Sequence, residues 1–306
     1  MFFDRSDPSL ASTVPVQLTR KIHRDVPDIL SPEDPKNSAK NKIIVITGGG
    51  TGIGAATAKV WIRAGAKGVV IAGRRKEVLD KTAADLEILS KGTSKILAVV
   101  TDVTKKRDAD NLFYQVKKTF GQAADVVLAN AGAVGPLIKP HEYAMEQWWR
   151  MFETNVLGLH NVAVSFITSQ PKPSEPIGTI ISVNSMMSGL LYPGVSAYSI
   201  SKLANQRYIE YLHLEYPTLR VFSLLPGIVP TDMSDPSFEP CAKDKPEQTG
   251  ALALYLASSR ADYLRGSLTS INWDIEEMEE HKDEIKKGLL QIAWIPVLPT
   301  CGGNGF

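Results

Sequence analysis

Four consecutive aliphatic residues, Ile43 to Ile46, run through Thr47 into Gly48-Gly49-Gly50-Thr51-Gly52-Ile53-Gly54. An unbroken apolar run of this length reads as a strand buried on both faces, as in parallel sheets, and parallel strands need helices to return the chain. The stretch from Ala55 to Ala64 supplies such a helix. The unit is therefore strand, glycine loop and helix N-terminus. Glycines let the backbone turn tightly and approach a pyrophosphate, whose charge is met by free amides and the positive end of the helix dipole. Gly48, Thr51, Gly52, Ile53 and Gly54 are the candidate phosphate contacts. A glycine cluster alone is often only a flexible turn; the strand before it and the helix after it select the dinucleotide reading.

Further apolar runs repeat the pattern. Strands are expected at 43–47, 68–72, 95–101, 125–129, 178–183, 220–225 and 268–272, with helices between them at 52–64, 75–90, 104–120, 144–169, 196–215 and 246–259. This alternation, unbroken by any linker, predicts one α/β domain with a doubly wound parallel sheet of about seven strands, binding ligands beyond the carboxyl ends of its strands. The expected organisation is an N-terminal arm over 1–42, a catalytic domain over 43–275, and a C-terminal helix and tail over 276–306. The arm is rich in Pro, Ser, Asp and Lys and lacks the apolar centre of a signal peptide, so it is expected to hug the surface or remain disordered. With 43% hydrophobic residues in 306, the chain has ample material for a core.

Tyr198 and Lys202 are spaced one helical turn apart on one face. A tyrosine at its ordinary pKa of roughly 10 is a poor acid or base at neutral pH, and a nearby ammonium stabilises its phenolate. The pair alone could equally be an exposed i,i+4 contact. Ser185 lies 13 residues before Tyr198, and Asn155 earlier still.

Taken in order, the T-G-x-x-x-G-x-G spacing from Thr47 to Gly54, Asn130-Ala131-Gly132, Asn155, Ser185, Tyr198, Lys202 and Pro226-Gly227 with Thr231 resemble the single-domain short-chain dehydrogenase/reductase family over about residues 40–275. The resemblance implies a Rossmann-type, three-layer α/β/α fold and a catalytic tetrad of Asn155, Ser185, Tyr198 and Lys202. It further implies hydride exchange between a nicotinamide and a substrate carbonyl or alcohol, with Tyr198 as general acid/base, Ser185 orienting the oxygen and Lys202 serving both tyrosine and nicotinamide ribose. Asn155 occupies the position that holds a water linking the lysine to solvent. Asp102 falls where the adenine is bound, Asn130 in the turn beside the cofactor, and Pro226, Gly227, Ile228 and Thr231 in the segment that holds the nicotinamide carboxamide. Asp102, Asn130 and Thr231 also suit ordinary turn or helix caps.

A preference for NAD usually shows as Asp or Glu about 20 residues beyond the glycines. Here Gly73 is followed by Arg74, Arg75 and Lys76. An arginine fork binds a 2′-phosphate through charge-assisted hydrogen bonds, so NADP(H) is expected, with Arg74 and Arg75 as its contacts.

A net charge of +1 gives no general pull toward nucleic acid or an anionic membrane. No stretch reaches the roughly 18–20 apolar residues of a membrane span; Leu289 to Leu298 is shorter and contains Pro296, and is expected to dock on the domain or a partner subunit. Cys241 and Cys301 have neither metal-ligand spacing nor disulfide logic, which suits a reducing, cytoplasmic setting with no metal. Ala133, Val134, Pro136, Met186, Met187, Leu190, Leu191, Tyr192 and Met233 are expected around an apolar substrate pocket, so a hydrophobic ketone or secondary alcohol is the expected substrate. Apolar residues on several faces of helices 144–169 and 196–215, such as Trp149, Phe166, Tyr211 and Leu212, together with the family resemblance, imply a homodimer or homotetramer. The segment from Leu264-Arg265-Gly266 to Ile271-Asn272-Trp273-Asp274, with the long arm, is similar to a group of fungal reductases associated with secondary metabolism. An isomerase or cyclase using the nicotinamide only structurally is the alternative; it would show no net NADPH consumption.

Overall fold

The aliphatic run forms β1 (Ile43–Thr47), and all five of its residues are buried. Strand side chains alternate between faces, and here each face meets a separate layer. Ile44 and Ile46 enter an apolar cluster with Trp61, Leu252 and Leu256. Ile43 and Val45 enter the opposite one, with Leu112, Val116 and Phe166. The computed structural model describes residues 7, 10, 13–231 and 236–292.

Six further strands follow: β2 (Gly68–Gly73), β3 (Lys95–Val100), β4 (Val126–Ala129), β5 (Thr179–Val183), β6 (Arg220–Leu225) and β7 (Leu268–Ser270). They form one sheet in the order β3-β2-β1-β4-β5-β6-β7. Every pairing is parallel. Helices α1 (Gly52–Arg63), α2 (Lys76–Ser90) and α7 (Glu247–Leu256) cover one face. On the other lie α3 (Lys106–Phe120), α5 (Gly158–Ser169) and α6 (Ser196–Glu215). α4 (Met145–Phe152) leads into α5, and α8 (Ile275–Glu280) follows β7, with a short helix α9 (Lys282–Glu284) and a π-turn at Ile285–Leu289 after it. This is the expected doubly wound α/β/α sandwich. The order changes direction between β1 and β4, and such a switch point opens a crevice at the strands' carboxyl ends.

Two departures from the expected elements have physical causes. The helix expected as continuous over 144–169 is interrupted by a π-turn at Glu153–Leu157, a feature that widens the helix locally and re-aims side chains, and Asn155 sits within it. The last strand ends at Ser270 rather than 272 because the following residues turn to pair with the N-terminal arm: Ile22 forms an antiparallel bridge with Trp273. Along the described part of that arm, Trp273 Nε1 donates to the Val16 carbonyl at 2.9 Å, and Arg20 N donates to both carboxylate oxygens of Glu277. Leu30 and Ala39 are buried in the core. Met233 lies outside the described residues, as do 293–306, which include Cys301 and most of the apolar stretch from Leu289 to Leu298.

No helix among the described residues is long and apolar enough to cross a membrane. Among the same residues no group of three or more His, Cys, Asp or Glu is placed to hold a metal ion.

Candidate active site

The glycine loop is held open from below. Asn130, just past β4, donates through Nδ2 to the carbonyls of Thr47 at 2.9 Å and Gly48 at 3.3 Å. Thr47 Oγ1 accepts from the amides of Asn130 and Ala131, both at 3.0 Å. The loop geometry then excludes side chains. Gly48 has φ +64°, and a Cβ there would meet Asn130 Nδ2 at 2.8 Å. A Cβ on Gly54 would overlap the Gly48 carbonyl. At the start of α1 no side chain caps the helix, and its first turn holds no acid, so its leading amides and dipole are offered to an anion.

A cleft of about 900 Å³ extends from this loop. It is lined by Gly48, Thr51, Gly52 and Ile53 after β1, Arg74 and Arg75 after β2, Asp102 after β3, Asn130 to Pro136 after β4, and Pro230 with Thr231 after β6. Expected residues thus gather from the carboxyl ends of five strands. Arg74 and Arg75 are exposed. Lys76 is instead turned toward Asp80, at 2.6 Å. The Asp102 carboxylate accepts from Thr104 N at 3.1 Å and Thr104 Oγ1 at 2.8 Å, so it caps its own turn. Burial works to raise that carboxyl; the Thr104 hydrogen bonds and the charges of Lys105 and Arg74 outweigh it and hold the group below its ordinary 3.8.

Ser185 follows β5, and Tyr198 and Lys202 lie on α6; none of the three lines the cleft itself, which Lys202 approaches at Gly132. Ser185 caps a short 3-10 turn, its Oγ accepting from Met187 N at 3.2 Å, and it hydrogen-bonds Tyr198. Lys202 is buried, with Nζ donating to the Val183 carbonyl at 2.9 Å and lying 5.7 Å from the centroid of the Tyr198 ring. Asn155 Oδ1 accepts from Ala133 N at 2.8 Å, while its Nδ2 donates to the Ala133 carbonyl and to Ser201 Oγ, each at 2.9 Å. Gly132 joins the two halves: a Cβ there would lie 3.4 Å from Asn155 Oδ1 and 3.8 Å from Lys202 Nζ.

The electrostatics differ from the simple expectation that Lys202 lowers the tyrosine. Burial raises the Tyr198 hydroxyl above its ordinary 10, opposed only by the hydrogen bond with Ser185. Burial also pushes Lys202 down to about 8. The reason is desolvation, which disfavours the charged form of each group, while the ammonium is engaged with a carbonyl.

The short chain dehydrogenase family matches residues 42–242 of this sequence. The chain belongs to that family. It is accordingly an oxidoreductase of a class that uses a nicotinamide cofactor. Short chain dehydrogenase pigC of Monascus ruber is 29% identical over 282 residues, covering 89% of this chain and 91% of the relative. Among solved structures, a short-chain type dehydrogenase/reductase from Mycobacterium marinum superposes with a TM-score of 0.69 at 28% identity, over 76% of this chain and 95% of that one. The NADPH-dependent 3-quinuclidinone reductase from Rhodotorula rubra shares the fold, with a TM-score of 0.69 at 24% identity over 80% of this chain and 94% of that one.

Some cleft residues carry no sequence signal. Gln147 and Arg150 of α4 and Thr154 of the π-turn also line it, polar residues three and four apart with no motif to mark them. Of the residues expected around a substrate, Ala133, Val134 and Pro136 line the cleft, whereas Leu191 is fully exposed. Arg150 adds a cation to a pocket expected to be apolar.

Proposed function

We propose that the protein is an NADP(H)-dependent oxidoreductase that moves a hydride between nicotinamide and the carbonyl or secondary alcohol of a hydrophobic small molecule, with Tyr198 as general acid/base. The observation that carries this reading is the contact of Ser185 and Lys202 with Tyr198 beside a glycine cradle in which added Cβ atoms would collide with the loop itself. That cradle, with uncapped helix amides, fits a pyrophosphate. When bound, the nicotinamide supplies or accepts the hydride.

The chain's own residues handle the oxygen and its proton. Ser185 directs the substrate oxygen toward the Tyr198 hydroxyl and stabilises the charge that develops on it. Tyr198 gives its proton to that oxygen in reduction and takes one from it in oxidation, and burial, which raises its hydroxyl, makes the phenolate left by reduction costly. The nearby Lys202 ammonium acts on the phenolate left behind, because attraction between charges counts most where solvent is excluded. Asn155 keeps the Gly132–Ala133 turn against Lys202, and by family resemblance holds the water that returns the proton.

Arg74 and Arg75, exposed at the end of β2 with no carboxylate beside them in sequence, support the choice of NADP(H). Arg74→Ala is expected to raise the Kd for NADPH by about 10- to 100-fold, the loss of one charge-assisted hydrogen-bond set, with little change for NADH. Fluorescence titration with both cofactors measures this; equal affinities in the wild type would remove the basis for the preference.

A homo-oligomer is supported by exposed apolar side chains on α6, where Ile200, Leu203, Tyr211 and Leu214 recur at helical spacing beside Trp149 of α4. Val162, Phe166 and Leu212 are core residues and contribute nothing to that surface. Light scattering at micromolar concentration is expected to give a dimer or tetramer mass, and Tyr211→Asp with Leu214→Asp to reduce it to the monomer. A monomeric wild type would end this part of the reading.

A further inference from the structure

The N-terminal arm reaches the segment that follows β6 through a buried carboxylate, that of Asp244. Asp244 has no exposed side-chain surface. Its Oδ1 accepts from Arg24 Nη1 at 2.8 Å and from Asn272 Nδ2 at 2.7 Å. Its Oδ2 accepts from Ile228 N at 2.6 Å, and its own amide donates to the Ile228 carbonyl at 3.2 Å. Gly227, at φ +69°, lies so close that a Cβ there would overlap this carboxylate. The carboxylate is therefore moulded onto the Pro226–Ile228 turn.

Enclosing a carboxylate is costly unless a cation and hydrogen-bond donors surround it. Arg24 is the cation, and the arm is seated so that it points there. His23 N donates to the Asn272 carbonyl at 3.0 Å, and the His23 carbonyl accepts from Asn272 Nδ2 at 2.9 Å and Gln248 Nε2 at 3.2 Å. Beyond Ile228 the chain reaches Thr231, whose Cγ2 would lie 3.3 Å from a Cβ on Gly52 of the glycine loop. One line of contacts thus joins the arm to the floor of the cleft.

We propose that Arg24 and Asp244 are positioning residues of the cofactor site. The arm supplies the guanidinium that pairs with Asp244, and Asp244 fixes the Pro226–Thr231 segment over the glycine loop, a role that rests on assigning this segment to the nicotinamide under the proposed function. The arm is then a working part of the site rather than a wrapping.

The full-length protein carries the test. Arg24→Met keeps the stem and removes the charge. Arg63→Met is the control, since Arg63 ties the same arm to α1 through an exposed pair with Glu33 at 2.6 Å, remote from the turn. Hydrogen exchange at the Ile228 amide is read in cofactor-free protein, and the Kd for NADPH by fluorescence titration. In Arg24→Met the amide is expected to exchange about tenfold faster and the Kd to rise about tenfold, with neither moved by Arg63→Met. If Arg24→Met does not fold, Arg24→Lys, which keeps charge but not the planar fork, moves both readouts the same way by a smaller factor. Unchanged exchange in a folded Arg24 variant overturns the proposal; so does faster exchange with an unchanged Kd, which would make the pair a prop for the turn alone. A wild type that binds no NADPH overturns the proposed function instead, while exchange at Ile228 still decides whether the arm holds the turn.

Discussion

Tyr198→Phe is expected to lower turnover by at least about 10²-fold, the smaller end of what general acid–base catalysis contributes, with little change in NADPH affinity. The substitution keeps the ring 5.7 Å from Lys202 Nζ and removes only the hydroxyl that hydrogen-bonds Ser185. Packing around α6 is unchanged by it, so a loss of rate cannot be assigned to a loss of fold. NADPH absorbance with the best apolar ketone from a substrate screen measures the effect. Retention of more than about a tenth of wild-type turnover, against that expected loss, would remove Tyr198 as the acid/base and bring forward an isomerase or cyclase that consumes no NADPH.

Lys202→Met is expected to damage two quantities together: turnover by about 10²-fold or more, and NADPH affinity, because one ammonium is assigned to both phenolate and ribose. Its titration gives a second, independent signature. Burial holds Lys202 at about 8, below its ordinary 10.5, so in the folded protein the charge is lost as pH rises through about 8. Wild-type kcat/KM, which reports the free enzyme, is expected to fall above that pH. Stability runs the other way. A lysine depressed in the folded state binds fewer protons there than when unfolded, so between about 8 and 10.5 its contribution to stability rises with pH as the cost of the buried charge is relieved. Loss of the alkaline fall in the residual activity of Lys202→Met, together with loss of that rise in urea-unfolding stability, ties both to this residue. An unchanged pH profile in the variant would assign the alkaline limb elsewhere.

The sheet was legible in the chain because strand burial imposes a local pattern. Ile43 to Ile46 could be nothing but a two-sided strand once glycines followed, and the structure sends alternate residues to opposite cores. The glycines were equally legible, since positive φ at Gly48 and the crowding at Gly54 are demands of a few neighbouring residues. Ser185 stands where the family resemblance puts the catalytic serine, 13 residues before Tyr198, and the fold places it against Tyr198. The π-turn around Asn155 was not legible, because a helix widened by one residue keeps nearly the same apolar rhythm, and Gln147 and Arg150 carry no motif that marks them as cleft residues.

Local chain properties, namely side-chain periodicity and backbone torsion, determined the layers and the phosphate loop from the residues themselves, one-turn spacing paired Tyr198 with Lys202, and the family resemblance supplied the rest of the candidate catalytic set. Charge state and long-range partnership belonged to the tertiary structure. Desolvation depends on everything packed around a group, which is why the same fold raises Tyr198 and lowers Lys202 where spacing alone suggested that one would tame the other. Asp244 meets Arg24 across 220 residues of chain, and neither carries a motif. Only burial, which makes an unpaired carboxylate costly, turns those two into a pair.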